Sequence, residues 1–394
     1  MSEVSLLPAR SRRKLLVFDT HPIQYRSPVF RELYGTHRDL KVFFFNEHFD
    51  ATHWWFHEVG QIPRQQWRLP LLEGFPNETL HTASLGLRKS FLAFRRCLIE
   101  ESPQAVLIYG YYQWEHWMLR LLTAELKIPL LFVGETFGEG KSMARRFLKR
   151  TLLSWFFSGV SQFITIGIKT RDHYRKRGIP ASRLTFAKYC TDNTFFSVGA
   201  EQGRKLRREW RAKNSIPNEA MVLLFVGRLV DRKRPLDMLD IHRRLPHSKD
   251  LYTVIAGNGL LECELKERAA QEPSFRLLGF QDQHQVRNCY YGADLLVVPS
   301  RYESWGLVVN EAFSCGLPAL VTEKCGVSGD LVTEDQTGYT FPVGDCAKAA
   351  RIVDVLLSDR ARLTRLGQSA REKVEGEYSI GQFAQAILLS LSRA

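Results

Sequence analysis

No run of about 20 apolar residues occurs in the 394-residue chain, so nothing in it reads as a bilayer span. The seven cysteines, at 97, 190, 263, 289, 315, 325 and 346, include no Cys-x-x-Cys pair and no metal-ligand spacing. An odd, scattered set of this kind predicts reduced thiols in a cytosolic protein rather than a zinc site or a disulfide framework. Basic residues near the start (Arg10, Arg12, Arg13, Lys14) precede only the short apolar run Leu15 to Phe18. That run is expected to be a first core strand and not a signal peptide. Acid is in short supply: 42 Asp and Glu against 55 Lys and Arg leave a net charge of +13. The imbalance favours an acidic partner, whether nucleic acid, a phospholipid surface or an anionic small substrate. No recognised nucleic-acid motif accompanies it, and the bases are dispersed through the chain.

What is present is a repeated alternation of strand and helix. Lys14 to Asp19 reads as a strand ending at Thr20-His21-Pro22-Ile23-Gln24-Tyr25, and Pro28 opens a helix from a permitted first-turn position. Leu40 to Phe45, Ala105 to Tyr109, Ile128 to Val133 and Phe163 to Ile166 are further strands, while residues 47–80 read as loops. Met221 to Val226 begins the pattern afresh, followed by strands at Tyr252 to Ala256, Phe275 to Leu278, Leu295 to Val298 and Ala319 to Thr322. The length suggests two domains, and the rhythm makes both doubly wound α/β halves joined near residue 200.

One stretch, Ser300 to Glu311, carries the chemistry. It lies between a β-rich apolar run, Ala293 to Pro299, and a helix beginning near Leu307, so its loop falls at the carboxyl edge of a sheet. Free N–H groups at Gly306, Leu307 and Val308 suit an anion, helped by about half a positive charge at the helix start. Glu303 in the loop and Glu311 about one turn (~3.6 residues) into the helix could accept hydroxyls of the same ligand. A ligand bearing both a diphosphate and hydroxyls is implied. Gly227-Arg228 and Lys233 follow the new central strand, offering a planar fork and a mobile point charge for that diphosphate. Gly257-Asn258-Gly259 ends the next strand, where glycine permits close backbone approach to a ligand but by itself reads as a tight turn. Leu278-Gly279-Phe280 closes another strand at the same edge, as a core strand and turn or as a nucleobase contact.

In order and spacing, these residues resemble the family 4 retaining glycosyltransferases of the GT-B fold. Glu303 through Glu311 matches that family's Glu-x7-Glu, and Glu311-Ala312 through Gly316-Leu317-Pro318 its continuation. The resemblance is strong over residues 220–345. In the first half, His-Pro-Ile-Gln-Tyr replaces the usual glycine-rich loop, a variant similar to a subset linked to bacterial surface polysaccharides. The resemblance implies an α/β GT-B fold, two Rossmann-like domains facing across a cleft. Residues 1–197 would be the acceptor domain, 198–378 the donor domain, and 379–394 a terminal helix packing back on the first domain. It implies that Arg228 and Lys233 stabilise the leaving diphosphate and that Glu303 binds the transferred sugar. Glu311 would take the ribose and Gly306 to Val308 the phosphates, and Gly279 remains a further donor-side candidate. No metal and no cofactor are implied, consistent with the missing Asp-x-Asp, and the nucleotide sugar is a substrate. The family's first-domain histidine is replaced by Gly110-Tyr111-Tyr112, while His116 reads as a partly buried helix residue. His21 and Glu135 remain the first-domain candidates for contact with acceptor.

The expected activity is thus transfer of a hexose from a nucleotide-diphosphate sugar to a glycan or lipid-linked acceptor, in bacterial surface polysaccharide or glycolipid synthesis. A nucleotide-sugar epimerase of the same fold and a non-enzymatic nucleic-acid-binding protein are the alternatives. Lys141, Arg145, Arg146, Lys149 and Arg150 precede Leu152 to Phe157. A basic helix with adjacent aromatics suits an anionic membrane surface, giving an expected place in the cytoplasm, peripheral to the membrane.

Overall fold

The structure, a computed structural model, describes residues 14–47, 70–135, 143–245 and 251–394. Its strands are β1 (Leu15–Asp19), β2 (Leu40–Phe44), β3 (Asn77–Thr79), β4 (Ala105–Tyr109), β5 (Leu130–Gly134), β6 (Gln162–Thr165), β7 (Leu184–Phe186), β8 (Met221–Val226), β9 (Leu251–Ala256), β10 (Phe275–Gly279), β11 (Leu295–Val298), β12 (Ala319–Thr322) and β13 (Gly338–Phe341). The helices are α1 (Ser27–Thr36), α2 (Thr82–Glu101), α3 (Trp114–Glu125), α4 (Met143–Ser158), α5 (Ile168–Lys176), α6 (Asn193–Phe196), α7 (Ala200–Lys213), α8 (Leu236–Arg244), α9 (Glu262–Arg268), α10 (Gln283–Gly292), α11 (Leu307–Ser314), α12 (Cys346–Leu357), α13 (Arg360–Glu377) and α14 (Ile380–Arg393).

Two parallel sheets result, ordered β3-β2-β1-β4-β5-β6-β7 and β10-β9-β8-β11-β12-β13. Their central strands are apolar at nearly every position because both faces are covered. Successive side chains divide between the faces. Val222 and Leu224 of β8 enter a core shared by both halves, whereas Met221, Leu223 and Phe225 enter an outer core of the second half alone. Leu15 and Val17 of β1 join the shared core, and Leu16 and Phe18 an outer core of the first half. Each sheet reverses direction of growth between its first strand and the fourth, at β1/β4 and at β8/β11. Those are the points where loops part and leave a crevice for ligand.

The edge strands β3 and β7 are three residues each and were not legible as strands, since Asn77-Glu78-Thr79 and Leu184-Thr185-Phe186 lack an apolar run. The loop reading of residues 47–80 falls largely on residues 48–69, which lie outside the described residues. Of the basic stretch, Lys141 also lies outside them, and Arg145 to Arg150 fall within α4. Helix α14 leaves the second half and lies against α1, β6 and β7. Ser379 and Gln382 form its capping box, and Phe383, Ile387 and Leu391 are its buried stripe. Among the described residues, no helix is long and apolar enough to cross a membrane.

Candidate active site

At the end of β8 the chain turns through Gly227-Arg228-Leu229, and the β9 loop grips that turn. The Leu229 N–H donates to the Asn258 carbonyl at 2.9 Å, and the Leu261 N–H to that of Leu229 at 2.9 Å. A Cβ on Gly257 would stand 1.8 Å from the Gly227 carbonyl oxygen, and one on Gly259 2.6 Å from that of Leu229. The backbone that these glycines approach is therefore the 227–229 turn and not a ligand, which agrees with the tight-turn reading of Gly257-Asn258-Gly259 and not with the ligand one. Gly279, with φ of 69°, has nothing within 4 Å of where a side chain would begin, and its carbonyl anchors the Gly257 N–H at 2.8 Å. It borders open space at the same edge.

Arg228 emerges from this turn half-buried. Among the described residues no hydrogen bond or ion pair engages its guanidinium. Burial, then the neighbouring Arg232, pulls its pKa down, and the Tyr25 phenol from the first half opposes the shift. A guanidinium stays charged regardless, so a partly desolvated cation stands at this turn with the Tyr25 phenol of the first half nearby. Lys233 takes a different position: it is ion-paired with Glu303. The Glu303 carboxylate also accepts from Ser300 Oγ at 3.2 Å and lies 3.4 Å from Arg232 Nη1. Burial pushes the Glu303 pKa up, but Lys233, Arg232 and the hydrogen bonds from Lys233 and Ser300 outweigh it, leaving the carboxyl below its ordinary value. The sequence assigned Lys233 and Glu303 to separate parts of a ligand, and the structure brings them into one pair.

The Glu303 loop is set by its neighbour. The Gly326 N–H donates to the Glu303 carbonyl at 3.0 Å, and the Val327 N–H to that of Trp305 at 3.1 Å. Trp305 Nε1 bonds Asn310 Oδ1 at 2.8 Å, and Asn310 Nδ2 reaches the Tyr189 carbonyl of the first half at 2.9 Å. Gly306, at φ of 111°, makes the left-handed entry into α11. Leu307 and Val308 then begin the helix with N–H groups that have no intrahelical acceptor. Glu311, half-buried on α11, accepts the Tyr290 hydroxyl at 2.7 Å. Burial raises its pKa to about 7 against that hydrogen bond. It faces a cavity of about 200 Å³ whose opposite wall holds Gln24 and Tyr25 of the first half.

The first-half edge is built around Arg26, a residue the sequence reading missed. Arg26 is ion-paired to buried Asp19 and lies 2.9 Å from Glu135 Oε1, to which the Tyr189 hydroxyl also donates at 2.7 Å. Its guanidinium sits 4.4 Å from the Tyr109 ring centre. The only sequence signal was an Asp at the end of β1 with an Arg seven residues on, and an Arg before a helix ordinarily reads as solvated. Glu135 is thereby oriented at the end of β5. His21, at the end of β1, is partly buried with Nδ1 2.9 Å from Thr20 Oγ1. His116 is fully buried, caps α3 with Gln113 and packs on Phe45.

The two halves meet directly behind Glu303. Lys169, at the start of α5, donates to the carbonyls of Glu323 and Cys325 at 2.6 Å each. The Ile168 N–H donates to Asp330 Oδ2 at 2.7 Å, and the Tyr378 hydroxyl to Asp330 Oδ1 at 2.6 Å. Away from this cleft, Asp237, Asp240 and Cys346 have ligand atoms within 4.8 Å of one another, though Arg234 already holds Asp237 at 2.7 and 2.8 Å.

Residues 207–373 match the family described as glycosyl transferases group 1. The chain is similar to a glycogen synthase of Mycobacterium tuberculosis, 33% identical over 160 residues that make up 40% of this chain and 38% of that protein. It is likewise similar to the D-inositol 3-phosphate glycosyltransferase of Mycolicibacterium smegmatis, 33% identical over 197 residues, 47% of this chain and 43% of the other. The chain thus spans less than half the length of these curated relatives. Among solved structures, HepE of Anabaena in complex with UDP and glucose superposes with a TM-score of 0.73 at 17% identity, over 97% of this chain and 100% of that one. Sucrose-phosphate synthase of Thermosynechococcus elongatus gives 0.74 at 17% identity, over 96% and 98%. The fold is GT-B: two parallel α/β sheets, as expected.

Proposed function

We propose that this chain, a GT-B fold whose second half matches the glycosyl transferases group 1, is a retaining glycosyltransferase of the family 4 kind. It would move a hexose-type sugar from a nucleotide-diphosphate sugar to a glycan or lipid-linked acceptor, without a metal, in bacterial surface polysaccharide or glycolipid synthesis. The His-Pro-Ile-Gln-Tyr loop supports placing it in that subset, and the expected location is the cytoplasmic side of a membrane. The observation that carries the reading is the half-buried Arg228, which no hydrogen bond or ion pair engages among the described residues, on the same loop as Lys233 of the Lys233–Glu303 pair, at the β8/β11 crevice and before the N-terminus of α11. This is a diphosphate site with a carboxylate at its edge. That HepE was solved with UDP and glucose makes uridine the first base to test.

In the proposed reaction the bond between the sugar C1 and the β-phosphate oxygen breaks while the acceptor oxygen bonds C1 on the same face. The acceptor proton passes to the departing phosphate. Charge builds on that phosphate in the transition state, and Arg228, Lys233 and the Leu307 and Val308 N–H groups are donors for it. Lys233 leaves Glu303 for the phosphate as donor binds, which frees the carboxylate for sugar hydroxyls. Glu311 accepts the ribose hydroxyls, and Glu135, held by Arg26 and Tyr189, is placed for the acceptor. The test is nucleotide release from a panel of UDP-, GDP- and ADP-sugars, with and without EDTA. Release from one donor, indifferent to EDTA and reduced about 10²-fold or more in Glu303→Ala, is expected. Abolition by EDTA would overturn the metal-free reaction, and conversion of donor to a new nucleotide sugar would make it an epimerase.

A further inference from the structure

The loop His21-Pro22-Ile23-Gln24-Tyr25 ends on a phenol that the proposed reaction leaves unused. Between β1 and α1 the chain makes a turn closed by the Ile23 carbonyl, which accepts from the Arg26 and Ser27 N–H groups at 3.1 and 3.0 Å. That turn sends Arg26 into its buried pair with Asp19. It leaves Gln24 and Tyr25 on the wall of the cavity of about 200 Å³ that Glu311 faces. The Tyr25 ring meets Tyr189 edge-on, 6.0 Å away with 79° between planes, and the Arg26 guanidinium stands 5.6 Å from its centre. Tyr189 is itself fixed, with its hydroxyl on Glu135 at 2.7 Å and its ring against Phe383 of α14. Packing on a buried cation and an anchored ring therefore sets the place of the Tyr25 phenol.

Its hydroxyl has no hydrogen bond among the described residues. Neighbouring phenols differ: Tyr189 donates to Glu135 and Tyr290 to Glu311, each at 2.7 Å. The carboxylates near Tyr25 are already occupied, Asp19 by Arg26 and the Thr20 N–H, Glu135 by Arg26 and Tyr189. The adjacent Gln24 has a buried Oε1 that is also without a partner among the described residues, so the wall opposite Glu311 is unsatisfied at two successive side chains. From the second half comes Arg228, close enough that it and the phenol each shift the other's ionisation. A guanidinium carries donors only, and burial pushes the phenol up to about 12, so it too keeps its proton. Two donors from opposite halves thus come together, and no protein acceptor engages either among the described residues. Anionic oxygens are the partners such a pair takes, and a diphosphate supplies several. A neutral hydroxyl would fill one donor and leave the guanidinium charge uncompensated. Tyr25 also feels Glu135, the carboxylate placed for the acceptor, so the phosphate within its reach is the one next to the sugar.

We infer that Tyr25 is a catalytic residue supplied by the first half, its O–H donating to a β-phosphate oxygen of the donor across from Arg228. The identity of that ligand rests on the proposed function. Tyr25 gives up no proton in the reaction: it adds a hydrogen bond to the charge that builds on the departing phosphate, and does so only while the two halves are together. The test is calorimetric titration of the full chain with UDP, GDP and ADP, then with the monophosphate of the one bound tightest, in wild type and Tyr25→Phe. The substitution keeps the ring that packs on Tyr189 and removes the O–H alone. Diphosphate affinity should fall about tenfold or more, with monophosphate affinity and melting temperature unchanged. Nucleotide release from the matching sugar donor should fall at least as far. The ratio of the two affinities within one variant does not depend on how much of it is folded. Wild-type diphosphate affinity and release in Tyr25→Phe would overturn the inference, and so would an equal loss for monophosphate and diphosphate. A wild type that binds none of the three diphosphates would overturn the transferase reading as well, whereas normal wild-type binding with an indifferent variant removes this inference alone.

Discussion

Glu311 is the residue whose protonation is most open to experiment. Its carboxyl is raised to about 7 by burial, with the Tyr290 hydroxyl acting in the opposite direction. A carboxyl raised in the folded state favours the neutral form, so its contribution to stability is present near pH 4.5 and is lost as pH rises through 7. Ribose binding runs the other way, because an ionised carboxylate accepts hydroxyls better than a neutral one. Calorimetric titration with nucleoside diphosphate should therefore show affinity rising from pH 6 to pH 8. Glu311→Gln should flatten the profile, and Tyr290→Phe should move it to higher pH by removing the hydrogen bond that favours the ionised form. A flat wild-type profile would sink the ribose assignment. The position of Glu311 was legible because Glu-x7-Glu is a local spacing. Its environment was not, since Tyr290 arrives from another helix. Arg26 was illegible for the same reason: its two carboxylate partners, Asp19 and Glu135, stand at the ends of different strands.

At the scale of elements, the loop bearing Glu303 is held from both halves. Lys169 at the start of α5 donates to the carbonyls of Glu323 and Cys325, and the strip between them pairs with Glu303. Lys169→Met removes two charge-assisted hydrogen bonds, a loss of about 3 kcal/mol or more of stability. Because the loop carries the proposed sugar contact, the variant should also raise KM for donor and lower kcat, and Lys169→Arg should restore part of both. Denaturant melts beside steady-state kinetics separate the two effects; a stability loss with unchanged kinetics would make Lys169 a brace and nothing more. The long buried strands here were readable as apolar runs, and the helices between them followed from their alternation. The three-residue edges β3 and β7 were not, because a strand that short takes its conformation from pairing with a neighbour.

For the whole molecule, α14 is the element that crosses between halves, and Ile387, fully buried in the shared core, lies on its inner stripe. Ile387→Asp buries an unpaired charge at that contact and should cost about 4 kcal/mol or more. Leu389→Asp, on the exposed side of the same helix, should stay within about 0.5 kcal/mol. Equal denaturation midpoints for the two variants would mean that α14 does not hold the halves together. The sequence by itself determined the α/β class, the restart near residue 200 and the edge loops that carry Arg228, Lys233 and Glu303. Each of these follows from hydrophobic pattern or local spacing along one segment. Only the tertiary structure decided that Lys233 pairs with Glu303, that the β9 glycines serve the 227–229 turn, that Arg26 orients Glu135, and that Lys169 reaches across to the Glu303 loop. Those contacts join residues tens to hundreds of positions apart, and a one-dimensional pattern holds no record of which strand end will face which.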